Sequence, residues 1–195
     1  MSDLENFVKG YVEEFKGLIS QFPHKEVENA ISLIHKAYRA NNQVFVAGNG
    51  GSASTASHIA CDLGKGILSN PHDNLEKRLR VISLTDNVPI MTAYANDISY
   101  DEIFSQQLKN LLKEDDVLIA ISASGNSLNV VHAAEYAKSK GAKVIGMTGF
   151  EGGKLMSLSD CKVHIPIKDY GKTEDLHLMV NHLITAYLRN FKDKI

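Results

Sequence analysis

The chain contains no tryptophan, only four prolines in 195 residues, and just two cysteines. Cys61 and Cys161 form no CxxC pair, which excludes a zinc ribbon or a dithiol redox centre and makes a reducing, cytoplasmic compartment the simplest expectation. Charge of one sign is also lacking. Twenty-one Lys and Arg against 23 Asp and Glu leave a net charge of −2, without the dense positive face that nucleic-acid binding requires. No apolar run approaches the roughly 20 residues that cross a bilayer. The opening residues, MSDLENFVKG, lack the charged-then-apolar layout of a signal peptide. No repeat or low-complexity segment interrupts the chain. What remains, 44% hydrophobic residues, suffices for one compact domain with a full core.

The apolar residues change rhythm along the chain. Leu4, Phe7, Val8, Tyr11, Phe15 and Ile19 recur at helical spacing up to Pro23, and Val27, Ala30, Ile31, Ile34 and Ala37 repeat the pattern up to Asn41-Asn42. Residues 1–41 therefore predict a helical hairpin, and residues 42–195 an α/β core. Short continuous runs then predict strands: Val44–Ala47, Arg80–Leu84, Val117–Ile121, Val144–Met147 and a weaker Val163–Ile165. Helical stretches alternate with them, including Asn126–Lys140 and a final amphipathic helix over Asp175–Phe191. This alternation implies a parallel sheet covered by helices on both faces. The irregular stretch from Gly64 to Leu79 reads as a flexible or lid-like loop.

Two strand ends carry unusual chemistry. Gly48-Asn49-Gly50-Gly51-Ser52 follows the first strand and Ser122-Ala123-Ser124-Gly125-Asn126-Ser127 the third, each leading into a helix. Glycine permits close backbone approach, while hydroxyls and helix-start amides supply donors to an anion. No lysine follows, so neither loop is a P-loop; the pair suits a small phosphate ester. The same residues also serve as helix caps and tight turns.

Metal-type residues form a second constellation. His58 and Asp62, four apart on one helix face, join Glu174, His177 and His182 at the start of the final helix. An i,i+4 His–Asp pair is also a common surface contact. Glu174 and His182 would lie about 12 Å apart along a helix. They meet at one ion only from opposite sides, or if the helix begins after Glu174. His24, His35, His72, His132 and His164 read as structural or solvated, Cys61 as packing, and Asn96-Asp97 as a helix cap or a holder of sugar hydroxyls.

GNGGSASTASHIACDLG, AYANDISYDEIF, ISASGNSLNVV and MTGFEGGKL together closely resemble the phosphoheptose isomerases, a branch of the sugar-isomerase (SIS) domain proteins. The likeness runs from about Leu4 to Phe191. It implies a three-layer sandwich with a five-stranded parallel sheet, assembled as a homotetramer through the N-terminal helices, with active sites between subunits. It further implies that Asn49, Gly50, Gly51, Ser52, Ser122, Ala123, Ser124 and Ser127 bind the sugar phosphate. Asn96 and Asp97 would contact substrate, and Glu174 would do so too. His58, Asp62, Glu174 and His182 fall on the metal positions, usually filled by one zinc per subunit, and Asp62 and His182 on the two acid–base positions.

Two positions depart from the family pattern: Asp62 stands for glutamate and Glu174 for glutamine. Gly66 also replaces an arginine, with Lys65 beside it. The shorter carboxylate at 62 is drawn back by over ~1 Å, and proton transfer is sensitive to such a displacement. Glu174 is therefore a candidate to take over charge neutralisation or the base role. The implied reaction turns sedoheptulose 7-phosphate into D-glycero-D-manno-heptose 7-phosphate for nucleotide-activated heptose. The alternatives are isomerisation of another long-chain ketose phosphate, or a non-catalytic tetrameric adaptor that binds a replication-initiator protein.

Overall fold

The computed structural model describes residues 2–194. Eight helices and five strands succeed one another among these residues: α1 (Asp3–Ser20), α2 (His24–Ala40), β1 (Gln43–Gly48), α3 (Gly51–Cys61), β2 (Arg80–Ser83), α4 (Val88–Asp97), α5 (Ser105–Leu111), β3 (Val117–Ser122), α6 (Leu128–Ser139), β4 (Lys143–Thr148), α7 (Gly153–Leu158), β5 (Cys161–His164) and α8 (Tyr170–Phe191). A π-helical turn, Asp62–Gly66, continues α3, and a short 3-10 turn, Tyr100–Glu102, precedes α5.

All strand pairs are parallel, in the order β2-β1-β3-β4-β5. Alternate strand residues feed two separate cores. Val44, Val46, Ile119, Ile121, Ile145 and Met147 pack against α2, α3 and α8 through Ala30, Ile34, Ile59, Val180, Ile184 and Leu188. Phe45, Ala47, Leu118, Ala120 and Val144 face the other way, onto Phe104, Leu108, Val130, Ala134 and Leu155. Both faces of β1 and β3 are buried, which is why these strands read as unbroken apolar runs. The three-layer sandwich anticipated from the alternation is the fold observed.

The N-terminal hairpin divides. α2 buries Val27, Ala30, Ile34, Ala37 and Tyr38 and belongs to the sheet's cover, whereas α1 buries none of its described residues. Leu4, Phe7, Val8, Tyr11, Val12 and Ile19 remain exposed along it. Its tie to the core is Lys172 of α8, 5% exposed, whose ammonium donates to Glu14 at 2.5 Å and lies 4.6 Å from the Tyr11 ring centre.

The stretch before β2 is fastened rather than loose. Glu76 accepts hydrogen bonds from the Ser69 and Asn70 amides and from the buried Lys192 ammonium at 2.7, 2.9 and 3.0 Å. Those donors hold its carboxyl down to about 2. One carboxylate thus closes the loop on itself and pins it to the end of α8.

α8 begins at Tyr170, five residues before the predicted start. The Asp169 side chain caps it by accepting from the Lys172 amide at 3.0 Å. α4 runs through Asn96 and Asp97, so these residues close α4 and do not cap the next helix. Cys61 is exposed and makes no packing contribution to the core; Cys161 is buried, and burial pushes its thiol up to about 12, far from a reactive thiolate.

Candidate active site

In a sheet ordered 2-1-3-4-5, the chain reverses direction between β1 and β3, and ligands bind beyond the carboxyl ends of those two strands. A cavity of about 280 Å³ lies there. Asn49, Gly50, Gly51 and Ser52 line one side, Ser122, Ala123, Ser124 and Ser127 another, and Tyr170 and Glu174 the wall from α8. The helices α3 and α6 both start beside this cavity, Gly51 and Ser52 of α3 and the Ser127 N-cap of α6 being among its lining, so the positive ends of both helix dipoles lie next to it.

The loop after β3 is shaped for this position by Gly125. Its φ of +68° lies in the left-handed region, and an added Cβ would collide with the Gly152 carbonyl. Ser127 is not used as a side-chain cap. It occupies the N-cap position of α6, yet its hydroxyl makes no cap hydrogen bond and instead meets the Ser122 hydroxyl at 3.1 Å. On the facing side, Asn49 and the buried Asn129 exchange side-chain hydrogen bonds of 2.8 and 3.0 Å, and the Tyr100 hydroxyl donates to the Asn49 oxygen at 3.0 Å. Asn129, Tyr100 and Tyr170 escaped the sequence reading; only the closeness in chain of Asn129 to the Ser motif, of Tyr100 to Asn96-Asp97 and of Tyr170 to Glu174 hinted at them.

Glu174 closes the wall. Its carboxylate rests against Gly51 so tightly that a Cβ there would overlap it. Burial, helped by the neighbouring Asp175, pushes its carboxyl above the ordinary glutamate value.

A second group stands where α3 passes α8. His58 Nε2 lies 3.4 Å and His182 Nε2 lies 3.7 Å from Asp62 Oδ2, and the two imidazole nitrogens are 3.4 Å apart. The ligands of a tetrahedral zinc with bonds of about 2.0–2.1 Å are themselves about 3.3–3.4 Å apart. Three ligand atoms 3.4–3.7 Å apart, two nitrogens and a carboxylate oxygen, come close to that spacing and would suit a zinc-type ion. Asp62 opens the π-helical turn, a widening of the helix often found at functional positions. Its Oδ2 also accepts from Asn181 Nδ2 at 2.7 Å.

The fourth expected ligand does not join this group. Because α8 already runs from Tyr170, Glu174 and His182 share one continuous helix two turns apart, and Glu174 reaches the cavity, not the imidazoles. His177, between them, turns inward. It is fully buried, its Nε2 lies 3.3 Å from the Thr148 carbonyl oxygen, and burial lowers its pKa to about 4. Asn96 and Asp97 are exposed at the end of α4 and bond to each other at 2.8 Å, outside the cavity lining.

A family model described as SIS domain matches residues 10–149. The phosphoheptose isomerase of Aneurinibacillus thermoaerophilus is 35% identical over 185 residues, covering 93% of this chain and 86% of its own. Solved phosphoheptose isomerases from Francisella tularensis and Neisseria gonorrhoeae superpose with TM-scores of 0.87 and 0.86, each at 26% identity. Those matches cover 97% and 96% of this chain and 100% and 99% of the respective structures.

Proposed function

The chain belongs to the phosphoheptose isomerase family of SIS domain proteins, and from that premise we propose that it is a metal-assisted isomerase converting sedoheptulose 7-phosphate to D-glycero-D-manno-heptose 7-phosphate, on the way to nucleotide-activated heptose. The observation that carries this reading is the presence, along the same two helices α3 and α8, of a hydroxyl-lined cavity with a carboxylate on its wall and of a two-imidazole, one-carboxylate group.

Ser122, Ser124 and Ser127, with the opening amides of α3 and α6, hold the phosphate. Grip on this remote group orients C1 and C2, so binding energy is spent on alignment at the reacting carbons. Asn49, fixed by Asn129 and Tyr100, lines the path of the sugar. A divalent cation held by His58, Asp62 and His182, one per subunit and zinc by its donor set, would supply Lewis-acid polarisation of a substrate oxygen.

An aldose–ketose shift moves a proton between C1 and C2, which calls for a base of suitable strength. Asp62 is engaged by Asn181 and two imidazoles. Glu174 faces the cavity with its carboxyl raised by burial, and we assign it the proton. The family positions instead point to Asp62 with His182, and the two assignments separate by mutation. Glu174→Gln should lower kcat by about 10²–10⁴ with the cation still bound; full turnover by that variant overturns the assignment. Failure of the zinc-loaded protein to turn over sedoheptulose 7-phosphate overturns the substrate.

The assembly proposed is a homotetramer. The apolar residues exposed along α1 supply a face for a second copy, and α4, which buries none of its residues, carries Asn96 and Asp97 to the surface, where inter-subunit active sites would use them. No helix among the described residues is long and apolar enough to cross a membrane, and the proposed setting is the cytoplasm.

A further inference from the structure

Asn181 immediately precedes His182 in α8, and its side chain is 2% exposed. Its surroundings are apolar: Ile59 and Leu63 on one side, Val180 and Ile184 on its own helix. An amide in such a place is costly unless it is bonded. Asn181 Nδ2 donates to Asp62 Oδ2 at 2.7 Å, shorter than a typical neutral N–H···O contact.

The oxygen it holds is the one that matters. Oδ2 is also the Asp62 atom that stands 3.4 Å from His58 Nε2 and 3.7 Å from His182 Nε2. The last torsion of an aspartate is broad, so a free carboxylate spreads over many orientations. One amide hydrogen bond removes that freedom and still leaves lone pairs on both oxygens. The donor is neutral, so it orients the carboxylate without cancelling the charge that attracts a cation; a lysine in its place would compete with the ion.

We propose that Asn181 is a positioning residue that locks the Asp62 carboxylate in the orientation required to capture a divalent cation together with His58 and His182. This rests on the reading of those three residues as a cation site. Partners of this kind behind metal ligands typically contribute 10–100-fold in affinity.

The experiment uses the full chain stripped of metal, titrated with Zn²⁺ against a chromophoric chelator and separately with Co²⁺ while the visible spectrum is followed. Asn181→Leu keeps the side-chain volume and Asn181→Ala keeps the space open; affinity is read on whichever elutes and melts as the wild type does. Zinc affinity should fall 10–100-fold, and the Co²⁺ bands should shift. In an Asp62→Ala background the same change at 181 should have no further effect on affinity, which a general loss of packing would not reproduce. Tight binding by the wild type with equal affinity and an unchanged Co²⁺ spectrum in the variants overturns this inference alone. Wild-type binding no tighter than that of Asp62→Ala overturns the cation site and the inference with it.

Discussion

The hydroxyl-lined cavity and the His58–Asp62–His182 group both draw on α3 and α8 but are built in opposite ways. The cavity is made by loops that directly extend β1 and β3, and by helix starts and a glycine whose conformation leaves little choice. The group is made by side chains from two helices that meet only because α8 packs against α3. Its histidine side chains are 43% and 55% exposed, whereas Ser122 is 4% exposed. The cavity is therefore written into backbone geometry, while the His58–Asp62–His182 group depends on how one helix is seated.

Removing the cation should separate the two regions most strongly. A chelator should cut turnover by about a thousandfold, about 4 kcal/mol of barrier, and added zinc should restore it. Sugar-phosphate affinity by calorimetry should stay within a few-fold; loss of binding with turnover would erase the distinction. Gly125→Ala attacks the other side. A side chain at positive φ against the Gly152 carbonyl should cost about 3 kcal/mol, read as a lower denaturation midpoint, while zinc affinity holds.

The joint between the regions is titratable. His177, from α8, reaches the Thr148 carbonyl at the end of β4 as a neutral imidazole. Its folded-state pKa of about 4 lies below the unfolded 6.5. The unfolded chain thus binds the proton first, and stability falls as pH drops from about 6.5 towards 4, by roughly 3 kcal/mol at the lower limit. Chemical denaturation across that window should show the slope in the wild type and a flatter curve in His177→Gln. The smallest effect belongs to a single cradle hydroxyl: Ser127→Ala should raise KM about tenfold, about 1.4 kcal/mol, with kcat nearly unchanged.

The sheet was readable because strands buried on both faces leave continuous apolar runs, and the cavity because two glycine- and serine-rich loops follow adjacent strands of one parallel sheet. The start of α8 was missed because Tyr170 to Glu174 shows little apolar periodicity and the helix is instead begun by the Asp169 cap. A helix beginning after Glu174 would have let Glu174 and His182 meet at one ion within the chain; the observed start puts them two turns apart. Asn181 was hidden as well: at helical spacing with His177 and Ile184 it sits on the core face of α8, where one polar residue among apolar ones gives no sign of its partner.

Local chemistry along the chain was enough to specify the parallel sheet, the two hydroxyl-rich turns and the identity of the metal-type residues, because each depends on neighbours within a few positions. Only the packed structure decided that Glu174 lines the cavity while His182 joins His58 and Asp62, and that Asn181 holds the aspartate. Those outcomes hinge on the phase of α8 against α3, set by burial of Val180, Ile184 and Leu188 against the sheet and its covering helices. No short stretch of sequence contains that phase.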